Sequence, residues 1–207
     1  MLKLTYYHAR GCCDAIRLIL AQSGTPYVEV NITGAEFILI KPKLTFSVIP
    51  MLEDGHLTLH HHNCITRYLA HRFNLSGETP EEEALCDMWN EECDNLLQNL
   101  WRADWEGEES VAMRQIKQAY FQKEIKPCLA EMNEALSHLS TPYLVGNRLT
   151  YADIVLKSAL DSIERVLSPE SNVLRVVFDE FLLLGLHYSH ISELPKIKSF
   201  CASGKRF

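Results

Sequence analysis

The sequence predicts two domains of different class. Residues 1–75 form an α/β domain of order β-α-β-β-β-α, residues 76–80 a linker, and residues 81–207 an all-helical bundle. Three observations predict this. Short β-rich runs alternate with helical periodicity up to about residue 73. The stretch Asn74–Pro80 (NLSGETP) breaks both patterns with Gly, Pro and polar residues. From Glu81 onward the apolar residues recur at three- and four-residue spacing, with no convincing strand.

The elements follow in order. KLTYY, within Leu2–Tyr7, is β-rich and ends in the turn His8–Gly11. Cys12–Gly24 carries Ile16, Ile19, Leu20 and Ser23 on one stripe and stops on Gly24, with Pro26 beyond it. YVEVNI (Tyr27–Ile32) alternates as a second strand. A strand, helix, strand crossover implies parallel strands. Thr33–Phe46 reads as less regular. Ser47–Leu52 then reads as a short apolar strand interrupted by Pro50, which suits an edge, turn or bulge because proline donates nothing to a ladder. Glu53-Asp54-Gly55 supplies a turn, and His56–Leu59 returns as a strand. Ile65, Tyr68, Leu69 and Phe73 fall at helical spacing, which puts residues 60–63 at a helix N-terminus. Unpaired N–H groups and the positive end of the helix dipole make that position ready for a carboxylate.

In the second domain, Thr79-Pro80-Glu81-Glu82 has N-cap form and opens a long amphipathic helix to Trp101. Arg102–Ser110 is an acidic connection. Val111–Leu139 is a second helical pattern with a bend expected at Pro127. Thr150–Asp153 has capping-box form, with Asp in the place of the usual Glu or Gln, and opens the apolar helix Ile154–Leu167. Leu174–His187 is a further helical region, and Ile191–Ser203 closes the chain. The α/β domain therefore has a thioredoxin-like arrangement, beside a helical bundle.

Composition narrows the function. The chain has 207 residues, 47% hydrophobic and 23% charged, as in an ordinary soluble globule. A net charge of −7 argues against nucleic acid, which needs a basic surface. No apolar run approaches the ~20 residues of a membrane span, and the N-terminus lacks a signal-peptide pattern, so a cytoplasmic location and no membrane partner are expected. The seven cysteines, an odd number without a CxxC, read as reduced and mostly buried thiols. His60-His61-His62 cannot all point to one side of a strand or helix, so no metal site is expected there.

IPMLEDGHLTLHHHNCITRYLAHRFNL resembles the second half of the glutathione-binding domain of cytosolic glutathione transferases, especially the sigma class. KLTYY and LVGNRLTYADIVL (144–156) extend the resemblance across the chain. It implies glutathione as co-substrate, a hydrophobic small-molecule electrophile held in a cleft between the domains, and a homodimer assembled through Glu81–Trp101. It makes Tyr6 the residue whose hydroxyl stabilises the glutathione thiolate, since a free thiol needs a local donor at neutral pH. Tyr7 is the rival. Adjacent strand side chains point to opposite faces, so only one can serve.

Of the other glutathione contacts, the resemblance implies Phe37 and Lys41 at the glycyl end, and Pro50 in cis with Val48 and Ile49 offering backbone pairing groups. Where the family has Gln-Ser for the γ-glutamyl carboxylate, this chain has His61-His62. Imidazole N–H or imidazolium would replace those donors, and binding should weaken as pH rises through the imidazole range. Cys12 stands where the sigma pattern has arginine, and is a candidate reactive thiol at a helix start. Asp94 and Asn95 lie where an acidic residue reaches the partner subunit's glutathione. With three of these positions altered, a second reading stands beside the enzyme: a transferase-fold carrier of hydrophobic ligands, or a crystallin-like structural protein.

Overall fold

The computed structural model describes residues 1–103, 111–167 and 173–204. Most of the acidic connection Arg102–Ser110 therefore lies outside the described residues. The chain divides into one unit of residues 1–76 with 193–207 and a second unit of residues 77–192.

The first unit is built on a four-stranded mixed sheet of order β2-β1-β3-β4. β1 (Leu2–Tyr7) pairs in parallel with β2 (Tyr27–Ile32), Leu4 opposite Glu29 and Tyr6 opposite Asn31. β1 is antiparallel to β3 (Met51–Asp54), which is antiparallel to β4 (Leu57–His60). The parallel pair is forced by the crossover helix α1 (Asp14–Ser23). Gly24 ends that helix at φ 72° and returns its N–H to the carbonyls of Leu20 and Ala21, the role its position suggests. The core is closed by Leu2, Leu4, Ile16, Ile19, Leu20 and Leu52 with Ile65, Leu69 and Ala70 of α3 (His62–Arg72). Burying such side chains is worth about 1.5–3 kcal/mol each, which makes them the main support of the sheet.

The predicted fold class is observed, with differences in detail. Thr33–Phe46 is not irregular. It holds α2 (Gly34–Ile40) and a 3₁₀ turn, Lys41–Lys43. Thr33 accepts the Glu36 N–H at 3.2 Å while Glu36 accepts the Thr33 N–H at 2.7 Å, a reciprocal cap. The third strand begins only after Pro50, because Ser47 at φ 53° turns the chain out of extended geometry. The hairpin then turns on Gly55 and His56, and β4 runs one residue further than expected, to His60.

The second unit is helical. α4 (Pro80–Ala103) starts at the expected proline, with Thr79 accepting the Glu82 N–H at 3.2 Å. α5 (Val111–Tyr120) and α6 (Lys126–Ser137) are separated by a π-helical turn, Phe121–Ile125, just before Pro127. Proline cannot complete the α ladder, so the break falls beside it. α7 (Tyr151–Leu167) packs against α4, α8 (Val173–Glu180) and α9 (Leu182–Ser192). Phe181 splits α8 from α9 within what reads as one helix.

Residues 151–163 of α7 are buried without interruption, and the polar ones are paired. Lys157 Nζ lies 2.8 Å from Asp161 Oδ2 and 4.8 Å over the Tyr188 ring, while Tyr188 donates to Asp161 Oδ1 at 2.5 Å. Asp153 accepts N–H groups of Leu144 and Thr150 at 2.8 Å each and faces His187 Nε2 at 2.9 Å. The closing helix α10 (Pro195–Ala202) packs against α1 and so counts with the first unit, whereas the sequence pattern groups it with the helical domain.

Candidate active site

The tyrosine pair ends β1, and its two members meet different surroundings. The Tyr7 ring meets Phe37 of α2 edge-on at 5.8 Å. The Tyr6 hydroxyl lies instead against the turn Gly11–Cys13, where Cys12 Sγ donates to Tyr6 Oη at 3.3 Å. A Cβ built on Gly11 would stand 2.6 Å from that oxygen, so only glycine admits the phenol here. Gly11 also sits at φ 47°, a backbone region that costs other L-residues energy. Burial pushes the Tyr6 phenol above its ordinary range, which keeps it a protonated donor. A protonated phenol at the head of a turn can stabilise a bound thiolate.

Arg17 holds this turn. Its side chain is fully buried on α1. Nε donates to Glu29 Oε1 at 2.6 Å, Nη1 to the carbonyls of Ala9 at 2.6 Å and Arg10 at 3.4 Å, and Nη2 to that of Tyr7 at 3.4 Å. Its guanidinium stands 5.9 Å from the Tyr6 ring centroid. Sequence reasoning passed over Arg17. The available signal was a single charge inside the apolar run AIRLIL, which a buried helix face tolerates only with partners.

The segment before β3 is the second part of the site. Ile49-Pro50 is a cis peptide, and Pro50 is buried. His60 Nδ1 donates to the Val48 carbonyl at 3.0 Å, and the Ser47 hydroxyl donates to the Lys41 carbonyl at 3.3 Å. Val48 and Ile49 are half-buried beside them. The role of His60, buried at the end of β4, was not anticipated. It secures the backbone that Val48, Ile49 and Pro50 present.

His61 is the N-cap of α3 at φ 67° and ψ 124°, a strained backbone for a non-glycine residue. It is exposed, its ring is 5.6 Å from that of Phe46, and its carbonyl accepts the Ile65 N–H at 3.0 Å. His62, half-buried, is the first helical residue. The pair stands at a helix N-terminus whose dipole suits a carboxylate. The three consecutive histidines diverge in environment, His60 buried and His61 exposed. Among the described residues no group of three or more His, Cys, Asp or Glu could hold a metal ion.

Lys41 is exposed, with Nζ 5.9 Å from the Phe37 ring centroid, so these two predicted contacts are neighbours. Tyr6, Cys12, Phe37, Lys41, Val48, Ile49, Pro50, His61 and His62 all belong to the first unit. Asp94 and Asn95 lie on α4 of the second, with Asn95 exposed and donating to Glu92 Oε2 at 3.3 Å.

Comparison with known proteins gives a consistent picture. Residues 2–71 match the sequence profile of the glutathione S-transferase N-terminal domain, and residues 94–204 that of the C-terminal domain. A glutathione S-transferase of Dirofilaria immitis is 29% identical over 202 residues, covering 97% of this chain and 91% of its own. Rat glutathione S-transferase alpha-4 is 30% identical over 213 residues, covering 99% and 89%. The solved Pi-class glutathione S-transferase of Onchocerca volvulus superposes with a TM-score of 0.83 at 28% identity, covering 98% of this chain and 92% of that one.

Proposed function

The chain belongs to the glutathione S-transferase family, and from that premise we propose how its own residues carry the reaction. It is a glutathione transferase with glutathione as co-substrate. The Tyr6 O–H donates a hydrogen bond to the glutathione sulfur and stabilises the thiolate, whose own proton leaves to solvent, and the thiolate attacks a small hydrophobic electrophile. The observation that carries this reading is the Tyr6 hydroxyl, kept protonated by burial and seated against Gly11.

Around it, Val48, Ile49 and Pro50 present backbone to the cysteinyl part of the tripeptide. Phe37 and Lys41 take its glycyl end, with lysine as a point charge for the carboxylate. His61 and His62 replace the usual side-chain donors for the γ-glutamyl carboxylate, supported by their place at the N-terminus of α3. Asp94 and Asn95 contact glutathione in a partner subunit. The assembly is a homodimer in the cytoplasm. Sedimentation at micromolar protein tests the dimer, and a single monomeric species would remove the partner contact. No helix among the described residues is long and apolar enough to cross a membrane. Within the family the chain reads as sigma-like, supported by the Tyr6 strand and the segment from Ile49. Prostaglandin isomerisation is the sub-case to assay, and no isomerised product would leave conjugation alone.

The central test is calorimetric titration with reduced glutathione and conjugation of an activated aryl halide, with Tyr6→Phe alongside. Binding tighter than ~1 mM is expected. Tyr6→Phe should lower kcat/KM about 10²-fold, as removal of one preorganised donor does, with Kd little changed. Wild-type kcat/KM in Tyr6→Phe would overturn the assignment.

A further inference from the structure

The position beside the tyrosine that the sigma pattern fills with arginine holds Cys12, and its geometry gives it a task. A phenolic oxygen carries one proton and accepts through its lone pairs. Cys12 Sγ donates into Tyr6 Oη at 3.3 Å. With the thiol as donor, the phenolic proton does not point at Cys12 and is left for a ligand. The arrangement is held in place from two sides. Gly11 admits the phenol to the turn. The buried Arg17 guanidinium ties down the carbonyls of Tyr7, Ala9 and Arg10, which lead into the turn. Cys13, the adjacent thiol, is buried and lies on the α1 side of the turn, so it does not share the task.

We infer that Cys12 is a positioning residue for the transferase reaction: its S–H donates to Tyr6 Oη and thereby aims the Tyr6 O–H at the glutathione sulfur. This rests on the reading of Tyr6 as the thiolate-stabilising group. The neutral thiol thus does by hydrogen bonding part of what a cation at this position would do by charge. A thiol is a weak donor, so the effect is modest and sensitive to the donor's identity.

The experiment compares wild type, Cys12→Ala, Cys12→Ser, Tyr6→Phe and the Tyr6→Phe/Cys12→Ala double variant. Each is read by the pH dependence of kcat/KM and by the ultraviolet absorbance of bound glutathione thiolate, after calorimetry has shown that it binds glutathione. Cys12→Ala should raise the apparent pKa of bound glutathione by about half a unit, about threefold in thiolate fraction on the acid side. Cys12→Ser should restore the wild-type profile, since a hydroxyl donates at least as well as a thiol. In the Tyr6→Phe background Cys12→Ala should have no further effect. A Cys12→Ala profile superimposable on wild type, or an equal effect with and without the Tyr6 hydroxyl, overturns the inference. If Tyr6→Phe itself leaves the bound thiol's pKa unmoved, the assignment of Tyr6 falls, and this inference with it. A variant that no longer binds glutathione would show Cys12 to be structural and would also overturn the positioning role.

Discussion

Gly11→Ala is the sharpest perturbation of the site, because the structure supplies both its steric and its conformational magnitude. The new Cβ would stand 2.6 Å from Tyr6 Oη and 3.4 Å from Cε1 and Cζ. Ordinary contact begins at 3.4 Å, so the hydroxyl must retreat by about 0.8 Å. Displacements of that size cost on the order of 10²-fold in rate when they move a reacting contact. Gly11 also has φ 47°, where an alanine costs about 1–2 kcal/mol. For a chain of this length that lowers Tm by about 5 °C.

Gly55→Ala separates the two effects, since Gly55 has φ 62° and an added methyl there would meet nothing within 4 Å. It should lose comparable stability and keep its activity. The assay is steady-state conjugation with glutathione titrated by calorimetry, paired with thermal unfolding of both variants. Gly11→Ala is expected to lose kcat/KM by about 10²-fold. Retention of kcat/KM within about twofold, with Tm falling as in Gly55→Ala, would refute the claim that Gly11 is required for the seating of Tyr6.

Two further outcomes concern the scaffold. Asp153→Ala strands the N–H groups of Leu144 and Thr150 and His187 in a buried setting, and should cost about 3–5 kcal/mol. An unchanged denaturation midpoint would contradict this. The Thr33 backbone and hydroxyl hold the exposed Glu36 carboxyl below the usual carboxylate range. Its folded value is depressed, so its contribution to α2 is full above the unfolded value of about 4.3 and is lost as pH falls through the lower folded value. Protection factors at Thr33 and Glu36, referred to the intrinsic rate at each pH, should fall on that descent, and protection that ignores pH there would exclude the cap.

The elements carrying strong periodicity were legible in the sequence. β1, α1 and β2, the hairpin after Pro50, and the long helices follow from apolar spacing and from Gly24, Gly55 and Pro80 at their ends. α2 was missed because two of its apolar residues, Ile38 and Leu39, face solvent and none is fully buried, so no core stripe marks it, although the Thr33 and Glu36 spacing was present to be read. The break at Phe181 carries neither Gly nor Pro, so no local chemistry announces it. In the site, Tyr6 was reached through the resemblance of KLTYY. The roles of Arg17 and His60 depend on which carbonyls the fold brings to them, and the backbone of His61 is imposed by the meeting of β4 and α3. Spacing along the chain encodes none of these. The relatives favour the enzyme over the carrier and structural alternatives.

The buried polar pairs of α7 bear on how its stretch 151–163, buried on every side, finds its orientation. Over that stretch no contrast between a wet and a dry face sets the rotation about the helix axis. A slip of one residue turns it by about 100° and carries Asp153, Lys157 and Asp161 away from their buried partners. The Lys157, Asp161 and Tyr188 group and the Asp153 and His187 contact are satisfied together at one rotation only. They act as an angular index, so that the polar minority of α7 defines the dial setting at which its apolar majority packs.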